Sequence, residues 1–250
     1  MGARSSPDLV IVTAGVVGEA AGGATERGDT AGRLRLLDTN AAVYREVIPA
    51  VVAAAPQATI MVVTDPPDPL ADLARVLAGH DRVFSTGTVL GSLRFRVHLG
   101  EHLGVCPADV EAMVVGEHGT TEVLLWSSAS VAGVPALEIL AAQDAPVDRI
   151  RSEIEDEIRY ANINIIEGIG ASQYGIGAVG ARLAGAVLRD EQRIFTVAAY
   201  RSADLLTYSL PSLLGRDGVC QTHHPAMSEQ ERDALGRSVQ ALRQACDRIR

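Results

Sequence analysis

The chain is poor in cysteine, in positive charge and in long apolar runs, and each shortage excludes something. Its three cysteines, Cys106, Cys220 and Cys246, are far apart and odd in number. That argues against a disulfide framework and suits a reducing cytoplasm. Acidic residues outnumber basic ones, 31 to 22, for a net charge of −9, so no nucleic-acid surface is expected. No apolar run approaches the length of a membrane span, and Met1–Pro7 lacks the apolar core of a signal peptide. The expectation is a cytoplasmic protein without membrane contact. His223 and His224 are an adjacent pair. Neighbours on an extended chain point to opposite sides, so no metal site is expected.

What is present can build a core: 47% of 250 residues are hydrophobic, enough for one domain or two small ones. Asp8–Gly15 reads as a strand buried on both faces, and Gly15–Gly32 as a loop rich in Gly and Ala. Arg33–Ala55 has a helical pattern, with a kink expected at Pro49. Ala58–Thr64 is a second buried strand, ended by Asp65-Pro66-Pro67-Asp68; Leu70–Ala78 is a helix, Arg82–Thr86 a third strand and Val89–Leu103 a helix. Such alternation predicts a parallel, doubly wound sheet. Beyond residue 110 the pattern changes. Glu122–Val134 is strand-like, Val147–Gly168 and Gly177–Asp190 are helical, and Arg193–Tyr200 and Leu205–Leu210 read as paired strands. Ser228–Ile249 is a terminal helix, opened by Ser228 and Glu231 as a capping box.

The chemistry centres on Gly116-Glu117-His118-Gly119, which follows the apolar run Val110–Val115. Flanking glycines permit backbone angles closed to other residues, and a histidine held there can give or take a proton near neutral pH. A lone turn histidine is more often structural, and the surrounding landmarks decide against that here. They are Val12-Thr13-Ala14-Gly15, Arg33 through Asn40, Asp65-Pro66-Pro67-Asp68, Gly87 through Arg94, the histidine turn, Gly170 through Gly175, and Ser209-Leu210-Pro211-Ser212.

In order and spacing these resemble the lactate/malate dehydrogenase family over nearly the whole chain. The resemblance implies an α/β fold: a doubly wound parallel sheet in residues 1–110, then an α+β catalytic domain in 111–250. It implies that His118 transfers the proton, that Arg94 grips a substrate carboxylate with a bidentate fork, and that Arg33 polarises the reacting carbonyl. Asn40 and Ser172 join the expected substrate contacts. Arg27 lies six residues before Arg33, the spacing of the malate-type members, and favours a dicarboxylate. It reads equally well as a solvated loop charge.

Three departures from the family shape the expectation. The glycine fingerprint that cradles the dinucleotide pyrophosphate is not found ahead of Asp8, so the sheet is expected to be truncated, without its first strands. Thr13 and Gly15 would be vestiges of a cofactor site. Gly175-Ile176-Gly177-Ala178-Val179-Gly180 matches the fingerprint formally but follows helical sequence, and reads as a decoy. Gly91 stands where the family carries the aspartate that orients the histidine, and Asp65 stands where it carries an asparagine. Asp65 is therefore expected to replace the missing acid beside His118.

The leading expectation is acid–base chemistry at His118 on a small 2-oxo or 2-hydroxy acid, with no cofactor and no hydride transfer. One alternative is an NAD-dependent oxidoreductase whose nucleotide half is supplied elsewhere; another is a non-catalytic remnant that binds a partner. The apolar stretch Leu9–Val12 would form an open sheet edge, to be covered by a second copy or a complementing chain.

Overall fold

The structure is a computed structural model that describes residues 7–16, 30–169 and 172–250. Its first half alternates strand and helix: β1 (Leu9–Val12), α1 (Thr30–Ala54), β2 (Thr59–Val62), α2 (Pro67–Ala78), β3 (Val83–Ser85) and α3 (Val89–Leu103). The three strands pair in parallel, with Leu9 opposite Thr59 and Ile60 opposite Val83. Every residue of β2 and β3 is buried, as continuous apolar runs require when helices cover both sheet faces. β1 differs from the expected fully buried strand. Only Val12 is buried, and Ile11 is 45% exposed, where β1 has β2 as its one strand neighbour among the described residues. α1 runs on through Pro49 to Ala54.

The second half starts with β4 (Val110–Glu111), β5 (Val114–Val115), β6 (Val123–Leu124), β7 (Ser130–Val131) and β8 (Val134–Pro135). The strand expected over Glu122–Val134 is thus three short pieces. A 3₁₀ turn at Trp126–Ser128 divides it, where the Ser127 N–H and hydroxyl both donate to the Glu231 carboxylate. Next come α4 (Ala136–Ala142), α5 (Val147–Arg159), α6 (Ala161–Ile169) and α7 (Tyr174–Leu188). The single helix expected from Val147 is two: the buried stripe Ile150, Ile154, Ile158 ends α5, and Tyr160 separates it from α6.

The chain closes with β9 (Arg193–Phe195), β10 (Ala198–Arg201), β11 (Leu206–Ser209), β12 (Ser212–Gly215), β13 (Gly218–Thr222) and α8 (Glu229–Ile249). β10 and β11 pair antiparallel and extend the first sheet to the order β1-β2-β3-β10-β11. One sheet therefore draws strands from both halves. β9 joins β12 and β13 instead. The break falls at Thr196, whose carbonyl and hydroxyl are taken by Thr88 and Ser92 at the start of α3. The capping box of α8 forms: Glu231 N–H donates to Ser228 Oγ at 3.2 Å, and Ser228 N–H to Glu231 Oε2 at 2.7 Å. Among the described residues no helix is long and apolar enough to cross a membrane.

Candidate active site

The carboxyl ends of β1, β2 and β3 lie on one side of the sheet, where open α/β sheets bind ligands. The histidine turn is brought there by three ties. Gly116 bridges to Ser209 at the end of β11, with N–H to O distances of 2.9 and 3.0 Å in the two directions. Its φ is +89°, and a Cβ at this position would lie 2.5 Å from Ser238 Oγ, so glycine is needed for both angle and space. Ser238, on α8, then accepts the Glu117 N–H at 2.8 Å. The third tie is the His118 N–H, which donates to Asp68 Oδ2 at 2.7 Å.

Asp68 opens α2 and is 1% exposed. Its other oxygen accepts the Ser85 hydroxyl at 2.6 Å, and Ser85 Oγ accepts the Gly87 N–H at 3.0 Å. One carboxyl group thereby joins the end of β3, the start of α2 and the histidine turn. Burial pushes this carboxyl up to about 7, and the negative charges of Glu117 and Asp65 act in the same direction. The hydrogen bonds from Ser85 and His118 oppose the shift by stabilising the ionised form.

α3 is laced to β5 by hydroxyls. Thr88 Oγ1 donates to the Val114 carbonyl at 2.5 Å, and Ser92 Oγ accepts the Val114 N–H at 2.9 Å. Arg94 is half-buried on the same helix. Burial pulls its guanidinium below the ordinary arginine range, and the Glu122 carboxylate acts against that. Among the described residues Arg94 donates no hydrogen bond and has no carboxylate within ion-pair distance, which leaves its fork for a ligand. Glu122 is 7% exposed, and its Oε2 lies 3.2 Å from where a Cβ on Gly91 would stand.

Several expected site residues have other duties. Asp65 is exposed, and its backbone carbonyl accepts from Asn40 Nδ2 at 2.8 Å. The carboxylate bonded to the His118 backbone is that of Asp68, inside the first turn of α2, while Asp65 follows β2 at the surface. Asn40 is fully buried and its amide is committed. It accepts the Val16 N–H at 2.8 Å and donates to the carbonyls of Val16, at 3.1 Å, and Asp65. It braces the strand ends instead of facing a substrate. Ser172 is partly exposed ahead of α7, whose Gly175 abuts Leu90 of α3. Arg33 lies in α1 with its side chain outside what is described, and Arg27 lies outside the described residues altogether. The glycines of the decoy fingerprint are inside α7. Among the described residues no three His, Cys, Asp or Glu side chains are grouped to hold a metal ion.

Sequence reasoning missed the roles of Asp68, Glu122, Ser209 and Ser238. Asp68 and Ser209 stood inside quoted landmarks, Glu122 only at the start of a strand-like stretch, while no local signal marks Ser238.

Gly15 is exposed, and a Cβ there would meet Thr64 Cγ2 at 2.6 Å and Asn40 Oδ1 at 2.7 Å. Thr64 Oγ1 donates to the Ala14 carbonyl at 2.9 Å and holds the two strand ends together. Thr13 and Gly15 are exposed just beyond the end of β1, and Gly15 has no room for a side chain there.

Comparison with known proteins bears on this geometry. The family described as lactate/malate dehydrogenase, NAD binding domain, matches residues 3–84, and its alpha/beta C-terminal domain matches residues 88–250. The L-lactate dehydrogenase of Thermus aquaticus is 44% identical over 96% of this chain and 77% of its own length. That of Deinococcus radiodurans is 43% identical over 84% of this chain and 70% of its own length. The ligand-bound structure of the minor L-lactate dehydrogenase of Enterococcus mundtii superposes with a TM-score of 0.87 at 31% identity. That superposition covers 97% of this chain and 76% of the other.

These findings correct two expectations. The truncated sheet lacking its dinucleotide-binding segment is not supported, since the NAD-binding description matches residues 3–84. The expectation of no cofactor is overturned on the same ground and by the lactate dehydrogenase relatives, which point to NAD(H). A dinucleotide domain is carried by alternating parallel strands and helices as a whole, and one glycine spacing does not decide its presence.

Proposed function

The chain belongs to the lactate/malate dehydrogenase family, and from that premise we propose that it is an NAD-dependent oxidoreductase interconverting a small 2-hydroxy acid and its 2-oxo acid. Residues up to about 110 would seat the nucleotide and the remainder the acid, with both resting on the shared sheet. The observation that carries this is the His118 turn, fixed through Asp68 to the carboxyl ends of the parallel strands.

Thr13 and Gly15 would hold the nicotinamide, which when bound supplies the hydride acceptor or donor. His118 takes the hydroxyl proton of the 2-hydroxy acid and returns it to the 2-oxo acid in reverse. Arg94 holds the substrate carboxylate through two parallel hydrogen bonds, which fixes the reacting carbon in orientation. Arg33 would polarise the carbonyl from α1. The names of the relatives support lactate and pyruvate. A second reading, malate and oxaloacetate, rests on Arg27 standing six residues before Arg33. The three thiols are free, which accords with a reducing cytoplasm.

The experiment is oxidation of NADH by the purified chain with pyruvate and with oxaloacetate, alongside a folded His118→Asn variant. Turnover with pyruvate that disappears in the variant is expected. Equal turnover in the variant would remove His118 from its role, and preference for oxaloacetate would select the second reading.

A further inference from the structure

Ser238 is fully buried in the stripe of α8 that also holds Glu231, Leu242, Cys246 and Ile249. Alanine would suit both the helix and the burial better, because a hydroxyl inside a fold costs free energy unless it is bonded. Here the hydroxyl is committed to the histidine turn. Its oxygen accepts the Glu117 N–H at 2.8 Å and lies 3.2 Å from Thr121 Oγ1, so it meets the turn on both sides of His118. The Thr121 hydroxyl also donates to Glu117 Oε2, which draws the two sides together. Gly116 closes against the same oxygen, since a Cβ there would stand 2.5 Å away.

Three consecutive N–H groups thereby go to three separate elements. Gly116 donates to the Ser209 carbonyl of β11, Glu117 to Ser238 of α8 and His118 to Asp68 of α2. A peptide unit is planar, so bonds on successive amides fix successive planes and with them the point from which the His118 side chain leaves the backbone. That placement matters to a group that moves a proton. Its nitrogen must come within about 2.6–3.2 Å of the atom it serves. A misplacement of about 1 Å can cost on the order of a hundredfold in rate.

We infer that Ser238 is a positioning residue for proton transfer: from α8 it holds the backbone of the histidine turn through the Glu117 N–H. The inference rests on the reaction proposed above for its kinetic readout. Among the described residues Ser238 makes no hydrogen bond to α3, the helix of Arg94, so binding of the acid should be spared when the hydroxyl is removed. The expected signature is a loss in rate without a matching loss in KM.

The test uses the full chain in single turnovers of NADH with pyruvate, which read the chemical step apart from product release. Ser238→Ala should slow that step about tenfold or more, while KM for pyruvate stays within about threefold of the parent. Ser238→Cys keeps the size with a weaker acceptor and should fall between the parent and the alanine variant. Ile249→Val loosens the far end of the same helix and should leave the rate within about threefold of the parent. An unchanged rate in Ser238→Ala would overturn the inference, as would a rise in KM that accounts for the whole loss. So would equal slowing in Ile249→Val, because any weakening of α8 would then suffice. If Ser238→Ala does not fold, an unchanged rate in Ser238→Cys overturns it equally.

A second measurement needs no substrate. Hydrogen exchange at the Glu117 amide should be about tenfold or more faster in Ser238→Ala, with the amides of α3 unchanged. Exchange as slow as in the parent would sink the inference whatever the protein acts on. Faster exchange in the variant, beside a parent that turns over no 2-oxo acid, would uphold Ser238 as the anchor of the turn and sink the proposed reaction instead.

Discussion

The backbone N–H of His118 donates to Oδ2 of Asp68 at 2.7 Å, across fifty positions of sequence. The contact makes the proton-carrying turn dependent on a carboxyl that burial pushes up to about 7. Between about pH 4 and 7 the folded state therefore holds a proton that the unfolded chain releases. Stability from this group is greatest on the acid side and is lost as pH rises through about 7. Asp68→Asn should flatten that slope, the difference between parent and variant changing by about 2–3 kcal/mol between about pH 5 and 8. Urea midpoints at the two pH values decide it, and parallel slopes would show that Asp68 titrates normally.

Arg94→Lys should weaken carboxylate binding by about tenfold or more, since an ammonium cannot form the two parallel bonds of a guanidinium fork. The charge is kept, so the loss isolates geometry. Calorimetry with oxamate on the NADH-loaded protein reads it directly. Equal affinities would place the carboxylate elsewhere.

Gly116 is held between Ser209 and Ser238, and its replacement should be costly for a reason independent of catalysis. Gly116→Ala combines a φ of +89° with a Cβ 2.5 Å from Ser238 Oγ. The left-handed angle alone costs about 1–2 kcal/mol, and the clash adds to it. A loss of about 2 kcal/mol or more in unfolding free energy is expected. Ser238→Ala should cost about 1–3 kcal/mol by leaving the Glu117 N–H without its acceptor. A Gly116→Ala variant as stable as the parent would mean the turn can move off α8.

What was legible in the sequence followed from local pattern. β2 and β3 are continuous apolar runs and are buried throughout, and the capping box before α8 formed as its spacing required. What was hidden depends on which segments meet. The Leu9–Val12 run looks like β2, yet Ile11 is open because β1 has one strand neighbour among the described residues. The loss of an acid at Gly91 was visible, while only the fold shows Glu122 Oε2 beside that glycine. Asp68 was part of a recognised landmark, and its bond to His118 is a contact no spacing encodes. Ser238 reaches the site from a helix more than a hundred residues away.

The last expectation concerns β1. Among the described residues it pairs with β2 alone, in the register Leu9 to Thr59 through Val12 to Val62. Val12 and Val10 face the core with Leu37 and Ile60, while Ile11 is 45% exposed. An edge of this kind offers unpaired backbone groups and apolar side chains to another chain, and no lysine stands in it to discourage pairing. We expect a second copy of the chain to cover it. Ile11→Lys should shift the oligomeric state toward smaller species in light scattering, because a charge cannot be buried there without a partner. Val76→Lys, at an exposed site on α2, is the control and should change nothing. Fold loss is separated from interface loss by circular dichroism, since an exposed position on an edge strand contributes little to the core. A parent that is monomeric at all concentrations, with Ile11→Lys indistinguishable from it, would show that the β1 edge needs no cover.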